Sequence, residues 1–473
     1  MIPPQNISCR LHRAARRWPN HVAVIESGAE YTWSDVHERV SRRAGELKEQ
    51  GLGADCWVLQ RAQNTLAGVI DWLAVLRAGA RVAPISERLP AAAVKALLAE
   101  HGFAALIPEP GAALQLTGVA ATAQCAGSLR LHFDPAGPCA GVATSGSTGT
   151  PRIAVHSYGN YVRSAQGAID YLPLSPQDRY LLSLPLFHVG GLGILFRCME
   201  SGAGMVLGGR AEDPDFLRAR QVSHVSMVET QLRRLLEHDR LDLPALHCLL
   251  LGGGPVADDL LHQALKACLP CYMSYGLTEM SSQVATWPAV GGAGRVLKYR
   301  ELRVEDGEIQ VRGQTLCIGY LHEGKIVPLK TLQGWFATRD LGQWQKGRLT
   351  IKGRRDNQFI SGGENIQPEA IEATLCSHPL VREAVIVPRK DREFGQRPVA
   401  FVNATGNVDF CALRQWLRGR LSPYMTPVDW HLLPPGEGLK QSRSRLRQLA
   451  EQLHSASDET GADVNSRSGQ AKD

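Results

Sequence analysis

From Gly141 to Glu279 short apolar runs alternate with helical stretches, and this alternation constrains the fold more than any other feature of the chain. Tyr180–Leu184, His224–Val228, Ala245–Leu251 and Cys271–Ser274 have the length and composition of buried strands, while Gln231–His238 and Ala257–Ala267 repeat apolar residues at helical spacing. Strands separated by helical stretches of about 10–15 residues form βαβ units, which need a largely parallel sheet. The character changes after about Trp287. Arg300–Val311 is short-stranded and charged around Asp306-Gly307, a hairpin signal, and Leu349–Lys352 is another strand. Beyond Gly353 come a helix over Pro368–Cys376 with proline in its first turn, strands Ala384–Val387 and Val399–Val402, and a helix over Asp409–Leu421.

Length and composition fit this picture. At about 100–200 residues per domain, 473 residues make two to four compact units. Hydrophobic residues at 44% and charged residues at 21% are the balance of a globular protein, and no apolar run reaches the ~18–20 residues of a membrane span. The first residues show no basic segment followed by an apolar one, so no secretory signal is visible. A formal charge of +6 is small for this size, and the basic patches at Arg10–Arg17 and Arg443–Arg447 read as solvated surface rather than a nucleic-acid footprint. Cys268 and Cys271 form a C-x-x-C without a second pair or a histidine cluster nearby, the pattern of a buried structural pair rather than zinc or redox chemistry. Reduced thiols in a cytosol fit best.

The strongest local signal runs from Thr144 through Ser145, Gly146, Ser147, Thr148 and Gly149 to Arg152, behind an apolar lead at Ala140–Ala143. Glycines let the backbone turn tightly and present N–H groups to an anion, hydroxyls add donors, and Arg152 adds a fixed positive charge. Gly141 and Gly146 have Walker spacing, but Ser147 stands at the lysine position, so a kinase or GTPase reading is weak. A polar linker is the plain alternative for this segment.

The loop is followed in order by Leu184-Pro-Leu-Phe-His188, Gly252-Gly-Gly-Pro255, Tyr275-Gly-Leu-Thr-Glu279, Trp335-Phe-Ala-Thr-Arg-Asp340 and the long segment from Gly353 to Glu372. This ordered set resembles the adenylate-forming superfamily of acyl-CoA synthetases, luciferases and peptide-synthetase adenylation domains, from about Trp18 to Leu446. Within it, Leu182–Gly191, Ala154–Ser157, Ser361–Pro368 and Glu393–Pro398 are most similar to the ligases that join o-succinylbenzoate to coenzyme A in menaquinone biosynthesis. The resemblance implies an α/β protein. A large N-terminal domain over residues 1–353 has parallel-rich sheets and, from about 288, a small β-barrel-like unit. A small mobile α+β lid domain occupies 354–454, and the polar stretch 455–473 reads as a disordered tail.

The implied reaction has two steps. A carboxylate attacks the α-phosphate of ATP, and a thiolate then displaces AMP from the acyl-adenylate. Such chemistry is mostly positioning and charge stabilisation. By resemblance, Thr144 to Gly149 hold the β- and γ-phosphates, Tyr275 stacks on adenine beside Gly253, Thr278 meets the α-phosphate, and Glu279 holds Mg2+, a hard cation suited to carboxylate and phosphate oxygens. Asp340 takes the ribose hydroxyls, with Arg354 near ribose and phosphate. His188, read as the end of a strand, lines the acyl pocket. Lys440 bridges the carboxylate and the α-phosphate in the first step. Asp356 is the hinge about which the lid turns to bring Gly362 and Gly363 to the pantetheine arm of CoA. Arg197 lies in the apolar stretch Leu192–Met199, where a charge is costly without a partner. It either belongs to an internal ion pair or anchors the second carboxylate of the substrate, with Ser226, Thr230 and Gln231 lining the same pocket.

Four departures stand out: Arg152 for the usual lysine, Arg339 where many members have glycine, Glu229 where related ligases carry proline, and the polar Gln441-Ser442 after Lys440. The expected partners are a small carboxylic acid, ATP and CoA, with no nucleic acid; the superfamily includes monomers and homodimers. The competing readings are a ligase for another aryl or fatty acid, which needs no anchor at Arg197, and a non-catalytic nucleotide-binding regulator, which would tolerate loss of Lys440 or Glu279. A carrier-protein adenylation domain would be followed by a carrier domain with its attachment serine, which this sequence lacks.

Overall fold

The computed structural model describes residues 6–117, 128–144, 152–254, 256–291, 294–406, 409–434 and 442–465, the last eleven as backbone only. Two large sheets dominate. In the nine-stranded sheet, Cys271–Leu277, Cys248–Leu251, His224–Met227, Arg179–Leu181, Gly204–Val206 and Val22–Glu26 lie side by side in that order and pair in parallel. Ser282–Pro288 and Ala29–Thr32 flank them antiparallel. The eight-stranded sheet has a parallel centre of Ala105–Ile107, Trp57–Ala62, Arg81–Ser86 and Pro138–Thr144.

Helices are packed between the sheets because their sequences are apolar nearly all round. Leu66–Ala78 buries eleven of its residues. Trp72, Tyr161 and Phe196, from three different helices, meet edge-on or stacked at 4.9–6.3 Å between ring centres. One continuous core joins them to Val58 and Val82 of one sheet and Val24 and Met205 of the other.

Residues 288–353 do not form one unit. Arg300–Glu305, Glu308–Gly313, Phe336–Gln345 and Arg348–Arg354 make a separate four-stranded antiparallel sheet, but Gly319–His322 and Lys325–Pro328 extend the eight-stranded sheet and Arg295–Val296 extends the nine-stranded one. Asp306 and Gly307 form the expected two-residue turn, both with positive φ, as a tight hairpin requires. The small C-terminal unit is α+β: Val381–Asp391, Gly395–Ala404 and Asp429–Leu432 form its sheet, against Pro368–Cys376 and Phe410–Arg418. Arg443 is bidentate to Glu372 at 2.7 Å and also reaches the carbonyl of Ile386 at 2.8 Å, which ties the last helix to this unit. That helix runs from Arg443 to Asn465, so regular structure continues past residue 455, where a disordered tail was expected.

Two further expectations change. His188 does not end a strand; it caps the helix Val189–Ser201, because Gly190 and Gly191 let that helix start directly against Leu184 and Pro185. A Cβ on Gly191 would come within 2.3 Å of the Pro185 carbonyl oxygen. Cys268 and Cys271 are not a buried pair: Cys271 is buried, but Cys268 closes a helix with φ +56° and is exposed.

Candidate active site

Thr144, Gly253 and Tyr275 lie at or just past the C-terminal ends of parallel strands, where open α/β sheets bind ligands. Tyr275 lies near the end of Cys271–Leu277 and donates its hydroxyl to Asp340 Oδ2 at 2.7 Å. Arg354 Nη1 donates to Asp340 Oδ1 at 3.1 Å, and its Nε and Nη2 grip Asp356 at 2.9 and 3.2 Å. Residues that lie 65 and 14 apart from Asp340 in sequence thus join in one chain, Tyr275–Asp340–Arg354–Asp356. Burial, and then the Asp340 carboxylate, push the Tyr275 phenol well up, so it stays a donor. Register explains the meeting, since Asp340 and Arg354 are direct partners across two antiparallel strands. Arg339, the departure before Asp340, takes a left-handed backbone with φ +66°, which accounts for glycine being suited to that position.

Thr278, Glu279 and Met280 form a single 3-10 turn after the Tyr275 strand. The buried His156 ring is 2.8 Å from the Thr278 carbonyl oxygen, which makes Nε2 the donor. Burial holds His156 neutral, with its pKa lowered to about 4. Glu279 accepts the Tyr320 hydroxyl on Oε1 at 2.8 Å, and its carbonyl accepts the Cys317 amide at 2.7 Å. Its second carboxylate oxygen has no hydrogen bond among the described residues. No group of three or more metal-binding side chains exists among those residues. A single carboxylate supplemented by phosphate and water oxygens suits Mg2+.

Thr144 and Arg152 face each other across two antiparallel strands, with Thr144 Oγ1 donating to the Arg152 carbonyl at 3.2 Å. Ser145, Gly146, Ser147, Thr148 and Gly149 lie outside the described residues, as does Lys440. Gly253 follows the strand Cys248–Leu251 with φ +83°. Gly362 and Gly363 form the two-residue turn of the hairpin Phe359–Ile366 in the small unit, both with positive φ.

Arg197 is 5% exposed on the buried helix Val189–Ser201. Its partners are neutral: Nη1 donates to the Tyr180 hydroxyl at 3.1 Å and Nη2 to Ser282 Oγ at 3.4 Å, while Nε has none. No carboxylate lies within ion-pair distance among the described residues. The acid on the same helix, Glu200, pairs instead with Arg10 and Arg13, each at 2.9 Å. A second buried guanidinium, Arg300, donates to the carbonyls of Gln283 at 2.6 Å and Ser164 at 3.1 Å. Burial, and then repulsion from Arg197, lower its pKa to about 9. Neither cation has a carboxylate partner among the described residues, so the potential around this buried pair is positive. Ser282 adopts φ +117°, a strained conformation for a residue with a side chain, beside the arginine it contacts.

The other expected pocket residues divide. Ser226 Oγ is 2.8 Å from the Tyr180 hydroxyl and so reaches Arg197 through Tyr180. Gln231 accepts the Val228 amide at 3.1 Å and caps its own helix, and Thr230 is exposed on that helix's first turn. Tyr180, Ser282, Arg300 and Tyr320 escaped the sequence reading. Ser282 had a signal, lying three residues after Glu279 of the Tyr275–Glu279 motif; the others lie in unremarkable strand sequence.

The sequence matches the AMP-binding enzyme family over residues 11–321 and the AMP-binding enzyme C-terminal domain over 370–444. A 2-succinylbenzoate–CoA ligase from Salmonella typhimurium is 39% identical over 424 residues, 88% of this chain and 92% of the relative. A solved variant of E. coli MenE with bound OSB-AMS is 34% identical, with TM-score 0.82 over 94% of this chain and 99% of that one. The o-succinylbenzoate coenzyme A synthetase of Bacillus subtilis in complex with ATP and magnesium ion is 26% identical, with TM-score 0.82 over 93% and 100%.

Proposed function

This chain belongs to the AMP-binding enzyme family, and we propose that within it the chain ligates 2-succinylbenzoate to coenzyme A through an acyl-adenylate, releasing pyrophosphate and then AMP. The observation that carries the choice of acid is Arg197, a buried guanidinium with neutral partners only. A diacid that reacts through one carboxylate has a second one to offer as counter-charge. A fatty acid would leave the cation unpaired in an apolar wall, which is costly.

In the first step Tyr275 supplies the flat face for adenine, and its hydroxyl with Arg354 holds Asp340 as acceptor for the ribose hydroxyls. Thr278 donates toward the α-phosphate, and its turn is held from behind by His156. The segment from Thr144 through Arg152 receives the β- and γ-phosphates. Mg2+ on those phosphates, when bound, spreads the charge that builds on the leaving pyrophosphate; Glu279 is the chain's own ligand for it. Lys440 neutralises the carboxylate and α-phosphate oxygens as they approach, and His188 borders the acyl group. In the second step the small unit turns about Asp356, and the Gly362-Gly363 turn, which has no side chains to obstruct it, approaches the pantetheine thiol of CoA. The described cysteines are all free thiols, as a reducing cytosol permits.

The test is pyrophosphate release with ATP and Mg2+, comparing 2-succinylbenzoate with benzoate, other 2-substituted benzoates and octanoate, each with and without CoA. Rapid turnover and a CoA thioester with 2-succinylbenzoate alone is the expected result. Equal or faster turnover with octanoate would remove the argument from Arg197.

A further inference from the structure

Glu279, on its 3-10 turn, and Arg152, on its strand, are both held by one aromatic side chain from a neighbouring strand. Tyr320 lies on Gly319–His322, which runs antiparallel to Arg152–Ser157 with Ala154 opposite Tyr320. Alternation along strands puts residues 152 and 154 on one face, so Arg152 is the diagonal neighbour of Tyr320 and within reach of its ring. The guanidinium carbon of Arg152 stands 4.5 Å from the ring centre. The hydroxyl at the other end of the same ring donates to Glu279 Oε1 at 2.8 Å. The same segment holds the backbone of Glu279 through the Cys317 amide at 2.7 Å.

We infer that Tyr320 is a positioning residue that orients the Glu279 carboxylate for the divalent cation and the Arg152 guanidinium for the pyrophosphate end of ATP. The inference rests on the proposed function for the presence of a metal–nucleotide complex at this site. Two features make the geometry suited to this work. A phenol donor leaves Oε2 of Glu279 as the oxygen available to the metal while fixing the plane of the carboxylate. A ring face attracts a cation without competing for its N–H donors, so Arg152 keeps its fork for phosphate. The substitution of arginine for the usual lysine also acquires a reason, because a planar guanidinium stacks on an aromatic face better than an ammonium does.

The experiment uses the full chain and two variants, Tyr320→Phe and Tyr320→Leu. Three quantities are measured for each. Mn2+ affinity is measured by electron paramagnetic resonance with a non-hydrolysable ATP analogue, AMP affinity by calorimetry without metal, and pyrophosphate inhibition of adenylation by kinetics. Tyr320→Phe removes the hydroxyl and keeps the ring. It should weaken Mn2+ binding about tenfold, as loss of a hydrogen bond to a metal ligand does, with AMP and pyrophosphate affinities within about twofold of the parent. Tyr320→Leu should show the same loss for Mn2+ and, in addition, a several-fold weaker pyrophosphate inhibition, of the order of one cation–π contact. Unchanged Mn2+ affinity in Tyr320→Phe overturns the inference while leaving the proposed function intact. A parallel loss of AMP affinity in both variants also overturns it, because a general structural role would weaken every ligand together. Failure of the parent protein to bind either nucleotide sinks the proposed function and this inference with it.

Discussion

Replacing Arg197 with methionine is the most informative perturbation, because binding and stability should respond in different directions. The side chain keeps its length and stem packing but loses a charge whose partners are the Tyr180 hydroxyl and Ser282 Oγ. If a substrate carboxylate takes up the guanidinium, the variant loses charged hydrogen bonds worth about 1.5–3 kcal/mol, or roughly 10- to 150-fold in kcat/KM for 2-succinylbenzoate. Benzoate, with no second carboxylate, should lose nothing comparable. Stability should hold. Breaking a buried ion pair costs about 3–5 kcal/mol because the surviving partner is left as an uncompensated charge. Here no acid is left behind, since Glu200 keeps Arg10 and Arg13. Arg300 also loses a repelling neighbour. Unfolding free energy should therefore change by less than about 1 kcal/mol or rise. Pyrophosphate release with both acids, alongside urea unfolding, reads the two effects. A stability loss of several kcal/mol with equal loss of activity on every acid would refute the reasoning and return Arg197 to a structural role.

Tyr275→Phe keeps the ring proposed to face adenine but removes the 2.7 Å hydrogen bond to Asp340, so KM for ATP should rise about three- to tenfold with KM for the acid unchanged. Arg339→Gly removes an L-residue from φ +66°; relief of roughly 1–2 kcal/mol, less about 0.5–1 kcal/mol for the added freedom of glycine in the unfolded chain, should leave the melting temperature slightly raised. His156 has a folded pKa of about 4 against an unfolded value near 6.5, so acid favours the unfolded chain, which takes up a proton that the folded one refuses. Stability should fall by up to about 3 kcal/mol from this group as pH drops from 6.5 to 4, and His156→Gln, which keeps a donor for the Thr278 carbonyl, should flatten that part of the profile.

What could be read in the sequence was local. The order of short motifs, the βαβ alternation, the turn at Asp306-Gly307 and the proline-started helix at Pro368 each depend on a few consecutive residues, whose conformational preferences act before any long-range contact forms. The grouping of Tyr275, Asp340 and Arg354 was reachable through the family resemblance, although the hydrogen bond from Tyr275 to Asp340 was not. Tertiary structure alone decided the rest. Gly319–His322 pairs with Arg152–Ser157 because an edge of the eight-stranded sheet accepts it, and that pairing brings Tyr320 to a glutamate 41 positions away. His188 caps a helix because two glycines let the helix start against the chain before it, which no strand or helix propensity at His188 itself announces. A buried arginine such as Arg197 could be flagged from its apolar neighbours, but whether an acid answers its charge depends on which side chains the two sheets bring within 4 Å. Electrostatic energy in the interior is a property of those distances and of the exclusion of water, and the order of residues along the chain contains neither.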